Sequence, residues 1–213
     1  MKSNPHNAAA TARVLFVLIA ALAANVCTAG DLLGHGPSPK DQIKDPKPEI
    51  FSICFQHTCA EIDHVSLSEE EWRQVRDHFS PPSEDAAQER QRIGSAIAYL
   101  EVAVGRQVDT LGDRGGNLKG FLASGNQMDC IDESTNSTTY LKMMAGDGLL
   151  RFHKVEKTST RGFMIMGWPH TTAVVRDTTT GEKWAVDSWF LDNGVPPAIV
   201  PLSQWRSGWR PKS

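Results

Sequence analysis

The stretch Asp129-Cys130-Ile131-Asp132-Glu133 marks the point where a glycine-rich segment changes into a helical pattern. Asp129 is suited to cap the helix, and Asp132 to the reciprocal position of a capping box. Cys130 then lies in the first turn, where free backbone N–H groups and the helix dipole lower a thiol's pKa. Because the two aspartates oppose this effect, the pattern predicts that a base from elsewhere in the chain assists the thiol.

The base and the residue that orients it lie further along the chain. His170 follows Cys130 by 40 residues, and Asp187 follows His170 by 17. Residues 171–176 and 183–186 read as two strands joined by a turn. Antiparallel pairing in which facing residue numbers sum to 357 or 358 brings His170 and Asp187 together on one face, and a bulge at Gly181 would shift that register by one residue. We therefore expect Asp187 to orient the His170 ring, and the ring to deprotonate the Cys130 thiol.

Each of these three residues also has an ordinary explanation on its own. A single cysteine is often a small buried hydrophobe, a histidine beside Pro169 is often a loop residue, and an aspartate after a strand often forms a turn. The conjunction favours catalysis, because roles and geometry together identify such sites.

The cysteine count supports a free thiol at Cys130. Removal of an N-terminal leader would leave three cysteines, Cys54, Cys59 and Cys130. An oxidising compartment favours pairing, and Cys54 and Cys59 are close enough for a disulfide provided that the chain between them is not helical. His57 and His64 offer an alternative zinc site with the same two cysteines, but the spacing matches no common zinc motif.

The first 29 residues have the features of a signal peptide. Lys2 and Arg13 carry positive charge, residues 14–24 form an uncharged apolar run, and Cys27-Thr28-Ala29 supplies small residues near a cleavage point. The apolar run is short for a membrane span, and a lipoprotein site at Cys27 is the weaker alternative because the preceding residue is bulky. We expect a periplasmic or secreted protein that has no membrane attachment after cleavage.

The rest of the chain predicts one domain after a flexible segment. Residues 30–48 are rich in glycine, proline and lysine and read as a lead-in, and residues 49–213 have room for a single core. A net charge of −3 gives no basic footprint, so nucleic acid is not an expected partner. Further elements read from the pattern are a helix capped at Ser68, a helix with the stripe Ile93, Ile97, Leu100 and Val104, and strands at 149–155 and 163–166.

Taken together, the chain resembles the papain-like superfamily in its transglutaminase-like branch, and is most similar to the bacterial transglutaminase-like cysteine proteinases. The resemblance rests on Asp129-Cys130-x-Asp132 at a helix start, His170 at a strand start and Asp187 on the next strand. Asp187-Ser188-Trp189 is also similar to the Asn-Ser-Trp of papain-type enzymes, in which the tryptophan shields the polar pair from water. The similarity covers about residues 127–190.

The resemblance implies an α+β fold in which the cysteine helix packs on an antiparallel sheet that carries the histidine and the aspartate. It implies thiolate attack on an amide bond of a protein or peptide, a thioester intermediate, and release to water or an amine. No cofactor is required for that chemistry. Some exported relatives need calcium held by acidic residues near the site, and Asp132 and Glu133 are the candidates here.

One position departs from the family pattern. Papain-type enzymes place a glutamine of the oxyanion hole six residues before the cysteine, and this chain has Ser124 there. Asn126 and Gln127 are the nearest side-chain alternatives, and the Cys130 backbone N–H is a further donor.

Three functions therefore stay open at the level of sequence. The first is a cysteine peptidase of protein substrates, for which a wide groove is expected. The second is a cell-wall peptide amidase with the same core and a narrower pocket. The third is an inert binding module whose surface includes the tryptophans Trp168, Trp184, Trp189, Trp205 and Trp209. Substrate and oligomeric state are not predicted.

Overall fold

A computed structural model describes residues 42–116, 126–162 and 169–212. The predicted signal peptide, most of the lead-in, Ser124, Trp168 and the predicted strand 163–166 lie outside the described residues. The described elements, in chain order, are β1 Phe51–Phe55, β2 Glu61–Val65, α1 Glu69–Asp77, α2 Ala86–Val108, α3 Cys130–Gly146, β3 His153–Arg161, β4 His170–Asp177, β5 Lys183–Asp187, β6 Ala198–Pro201 and α4 Leu202–Arg206.

The strands form two antiparallel sheets, and the chain has the predicted α+β class. β1 and β2 form a two-stranded sheet, while the larger sheet has the order β3-β4-β5-β6. Helix α3 contacts β4 and β3 of the larger sheet and β1 of the smaller one. None of the described helices is both long and apolar enough to cross a bilayer.

Helix α3 begins and ends where the sequence predicts. The Asp129 side chain accepts hydrogen bonds from the Ile131 and Asp132 N–H groups, and Asp132 accepts from the Asp129 N–H, which completes the capping box. Its inner face is anchored to β1 by Asn136, whose amide donates to Cys54 O and accepts from Cys54 N, each at 2.8 Å. The start of α3 is therefore held at both its backbone and its side chains.

Helix α2 supplies the centre of the core. The predicted stripe of Ile93, Ile97, Leu100 and Val104 is buried, so this prediction is confirmed. The apolar stripe packs with Phe51 and other β1 residues and with the inner face of α3 in one cluster.

The register between β4 and β5 differs from the predicted one. Val174 faces Ala185 and Arg176 faces Lys183, so facing numbers sum to 359 rather than to 357 or 358. The turn is longer than assumed because the Asp177 carboxylate accepts the Thr179 and Thr180 N–H groups. The chain then reverses at Gly181, whose φ of 75° lies in the left-handed region that glycine adopts freely.

Strand β3 begins four residues later than the predicted strand at 149–155. The Leu149 N–H bonds to Met144 O and so finishes the end of α3. The Arg151 and Phe152 N–H groups bond to the buried Glu89 carboxylate on α2, at 2.7 and 3.0 Å. These backbone groups are therefore unavailable for strand pairing until His153.

Candidate active site

His170 and Asp187 form a short hydrogen bond inside the sheet. His170 Nε2 lies 2.7 Å from Asp187 Oδ2, and both residues are buried. His170 begins β4 and Asp187 ends β5, so the two side chains meet at one end of the sheet. A carboxylate oxygen only accepts, so Nε2 is the donor of this bond and the bond does not engage Nδ1.

Aromatic rings enclose this pair. The rings of Trp189 and Phe190 lie 4.8 and 4.9 Å from the His170 ring, and that of Trp205 lies 5.5 Å away. The Trp205 indole N–H also donates to Asp187 Oδ2 at 2.6 Å. Trp189 therefore packs on the polar pair as the sequence suggested, and Trp205 adds a hydrogen bond that the sequence did not predict.

Cys130 lies at the same end of the sheet. It is free, partly buried, and the first residue of α3. The Thr171 backbone, one residue after His170, and the Asp187 carboxylate are both close enough to its sulfur to shift the pKa of the thiol, downward for Thr171 and upward for Asp187. The three candidate residues are thus brought together from α3, β4 and β5.

The electrostatic environment of the sulfur differs from the expectation of a lowered pKa. Burial raises the pKa of the Cys130 thiol to about 11, the Thr171 N–H opposes that shift, and the charges of Asp129 and Asp187 add to it. The helix start does not overcome the loss of water around the sulfur. At neutral pH the resting group is therefore a thiol, which needs a base to remove its proton.

The two amide side chains proposed as oxyanion donors are engaged elsewhere. Asn126 Nδ2 donates to Val108 O at 2.8 Å, and Gln127 Nε2 donates to Gly112 O at 3.1 Å. Both amides thus tie the segment before α3 to the end of α2 and the loop that follows. The Cys130 backbone N–H, which lies against its own sulfur, remains as the donor at the helix start.

The Cys54–Cys59 disulfide is present, as predicted, and it closes an unusual turn between β1 and β2. Residues 56–59 all have φ between 54° and 62°, a left-handed run without glycine. Asp132 and Asp129 compensate for it: the His57 and Cys59 N–H groups donate to Asp132 at 2.8 and 2.6 Å, and the Thr58 N–H donates to Asp129 at 3.0 Å. The disulfide turn thus packs directly on the start of the cysteine helix.

The predicted calcium ligands, Asp132 and Glu133, are both buried and have other contacts. Asp132 is fully buried and accepts three backbone N–H groups, including its own capping bond. Glu133 points instead into a buried group of acids. Among the described residues, His57, Asp129 and Asp132 have ligand atoms within 4.8 Å of one another. Calcium prefers six to eight oxygen ligands, so this set, which includes an imidazole, does not suit it.

Three buried carboxyl groups, Glu101, Asp113 and Glu133, lie close to one another. Burial raises the pKa of Glu101 to about 7 and that of Asp113 to about 6, and it raises the pKa of Glu133 well above its usual range. The neighbouring Glu133 lowers the pKa of Asp113 in part, and the Ser188 hydroxyl does the same for Glu101, but burial is the larger effect in both. Protons are therefore shared within this group near neutral pH.

Comparisons of the chain with models of known protein families, with curated proteins and with solved structures found no match.

Sequence reasoning missed two parts of this site. Trp205 lies 18 residues beyond Asp187, and the sequence placed it only among the tryptophans of a possible binding surface. Glu101, Asp113 and Glu133 are scattered through the chain, and the sequence does not mark them as one buried group. The one available signal was the placement of Glu101 on the apolar side of α2, next to Leu100 and Val104.

Proposed function

We propose that this protein is an exported thiol hydrolase that cleaves amide bonds through Cys130, His170 and Asp187. The observation that carries the proposal is the buried 2.7 Å bond between His170 and Asp187, next to a free cysteine at a helix start. This arrangement fixes one ring nitrogen and leaves the other to accept a proton. The resemblance of residues 127–190 to papain-like and transglutaminase-like enzymes supports the same chemistry.

In the proposed reaction the thiol is neutral until substrate arrives, because its pKa is raised. His170 Nδ1 takes the proton as the sulfur attacks the carbonyl carbon, and Asp187 stabilises the imidazolium that forms. The Cys130 backbone N–H donates to the developing oxyanion. His170 then returns the proton to the leaving amine, the C–N bond breaks, and a thioester remains that water hydrolyses.

The aromatic enclosure supports this order of events. Trp189, Phe190 and Trp205 exclude water from the His170–Asp187 bond, which strengthens it relative to a solvated pair. Trp205 also holds the carboxylate through its indole N–H. Asp187 therefore keeps one orientation while the charge on His170 changes.

An activated ester tests the proposal without knowledge of the substrate. We expect p-nitrophenyl acetate to give a burst of nitrophenolate and a mass increase of one acetyl group on Cys130. His170→Ala should slow that acylation by about 10²- to 10⁴-fold, the range typical of a lost general base. Absence of acetyl-Cys130 in the folded wild-type protein, or the same rate in His170→Ala, would leave the binding-module function in its place.

A further inference from the structure

A groove on the outer side of α3 carries positive charge in a protein of net charge −3. We name it the lysine–threonine groove, after Lys44, Lys142, Lys157, Thr135, Thr138 and Thr139, which line it. It has a volume of about 440 Å³ and is open along its length. No aspartate or glutamate is among the described residues that line it.

The strand side of the groove is shaped by an irregularity in β3. The register between β3 and β4 shifts between Glu156 and Ser159, and the two residues in the shift are Lys157 and Thr158, both exposed. A bulge of this kind redirects side chains out of the regular alternation. Here it presents an ammonium group and a hydroxyl to the groove.

The helix side of the groove offers acceptors beside the charges. Thr138 and Thr139 donate their hydroxyl protons to Ser134 O and Thr135 O, at 2.6 and 3.1 Å. The remaining lone pairs of these hydroxyls are available to a ligand that brings N–H groups. The lysines attract carboxylates, and the threonine hydroxyl oxygens can accept hydrogen bonds from peptide N–H groups. The lining is therefore complementary to an acidic polypeptide segment.

The charge continues beyond this groove. A larger groove of about 810 Å³ shares Lys44 and Lys142 with it and adds Lys47, Lys154 and Arg76. Three acids also line this second groove, and one of them, Asp147, is paired with Arg76 at 2.7 Å. The net positive lining therefore extends along α3 toward its end.

The groove and the candidate nucleophile belong to one helix. At about 1.5 Å per residue, Lys142 lies roughly 18 Å along the axis from Cys130. An extended peptide covers that distance with five or six residues, at about 3.3 Å each. We propose that the lysine–threonine groove holds an acidic segment of a polypeptide substrate, displaced by several residues from the bond presented to Cys130. This inference rests on the proposed amide hydrolysis for its choice of ligand.

Binding of a defined probe tests the groove separately from the chemistry. Cys130→Ala protein is titrated into a fluorescein-labelled octaglutamate peptide at low salt, and anisotropy is measured. Lys142→Gln combined with Lys157→Gln should weaken binding by tenfold or more. The matched control combines Arg106→Gln with Lys212→Gln, two exposed positions that do not line the groove; it removes the same charge and should change binding by less than twofold. If both double variants bind octaglutamate equally weakly, the loss of affinity comes from net charge alone and the proposal is overturned.

Two further measurements separate the outcomes. Polygalacturonate, an acidic polysaccharide, is used as competitor, and groove-dependent binding tighter than that of octaglutamate would overturn the polypeptide assignment in favour of a carbohydrate. Acylation of Cys130 by p-nitrophenyl acetate should be unchanged by Lys142→Gln with Lys157→Gln, because the small ester does not reach the groove. If Cys130 is acylated but peptide binding does not depend on the groove, the proposed peptide groove is wrong and the hydrolase proposal stands. If the peptide binds in the groove but Cys130 is not acylated, the hydrolase proposal is wrong.

Discussion

His170 bonds to Asp187 although the two residues do not face each other in the sheet. Continuing the register from Ala173 opposite Val186 places Thr172, not His170, across from Asp187. His170 is the next residue on the same face, so the bond is a diagonal one, spanned by the imidazole ring at 2.7 Å. A short side chain at position 170 would not reach, which makes the contact specific to a long polar ring.

The diagonal bond predicts a large effect of Asp187→Asn. An asparagine donates its amide N–H to Nε2 and so favours the tautomer that carries its proton on Nδ1, the nitrogen needed as base. We expect acylation of Cys130 by p-nitrophenyl acetate to fall by 10²-fold or more, with little change in the circular dichroism spectrum. Asp187→Asn combined with His170→Ala should be scarcely slower than His170→Ala alone, because the two residues act as one unit. If the losses in acylation rate add up in the double variant, the two residues do not act as one unit.

Trp205→Phe isolates the indole hydrogen bond. Phenylalanine keeps a ring near His170 but removes the N–H that donates to Asp187 at 2.6 Å. Loss of a hydrogen bond to a charged acceptor costs about 2 kcal/mol, so we expect lower thermal stability and a shifted pH profile of acylation. Trp209→Phe is the matched control, since Trp209 contacts Phe190 and not the carboxylate. Equal effects of the two substitutions would mean that ring packing alone matters.

Much of this arrangement follows from local sequence, and the rest depends on distant contacts. The start of α3 was predictable because Asp129 and Asp132 satisfy backbone donors within four residues. The β4–β5 register was not, because the capping of the turn by Asp177 adds a residue to the connection. The diagonal reach of His170 compensated for that error, so the pair was identified although its geometry was not.

The environment of Cys130 shows a second property that could not be predicted from the sequence, the burial of a side chain. A helix start predicts a lowered thiol pKa, but the degree of burial is a property of the whole fold. Likewise, Glu101 and Glu133 meet only because α2 and α3 pack together, and no local pattern in the sequence pairs one with the other. Desolvation acts through tertiary contacts, which a single sequence does not display.

Alkylation of Cys130 provides a direct test of the raised pKa. A thiol with a pKa of about 11 has a much smaller thiolate fraction at pH 7 to 9 than the same residue in the unfolded chain. We expect iodoacetamide to modify the native protein on the order of 100-fold more slowly than the urea-denatured protein at pH 8. The native rate should still rise with pH beyond pH 9. A native rate that exceeds the denatured one at neutral pH would indicate a preformed thiolate instead.

The left-handed turn predicts a stabilising substitution. Thr58 is β-branched and has a φ of 55°, a conformation that costs about 1 kcal/mol or more for a residue with a Cβ. Thr58→Gly removes that strain and keeps the backbone N–H that donates to Asp129. We expect a higher melting temperature by a few degrees, measured under oxidising conditions. Thr179→Gly is the control, because Thr179 is also in a turn but has no positive φ, and it should lower the melting temperature.

Glu101→Gln tests the buried acids Glu101, Asp113 and Glu133. The pKa of Glu101 is raised from 4.5 to about 7, first by burial and then by the charge of Asp113. Between those pH values the unfolded chain releases its proton before the folded protein does. The free energy of unfolding therefore falls as pH rises from 4.5 toward 7, and the loss is complete above that range.

A glutamine at position 101 stays neutral at every pH. Its amide oxygen can still accept the Gly194 N–H, as Glu101 does at 2.9 Å, and its N–H₂ takes the place of an oxygen without a hydrogen-bond partner. We expect Glu101→Gln to raise the free energy of unfolding at pH 8 by on the order of 2 kcal/mol and to change it little at pH 4, measured by urea denaturation. Glu61→Gln, at an exposed position of β2, is the control and should be neutral at both pH values. If Glu101→Gln destabilises the protein at pH 8 as much as at pH 4, the carboxyl is ionised and held by partners, and the shared-proton arrangement around Asp113 and Glu133 is wrong.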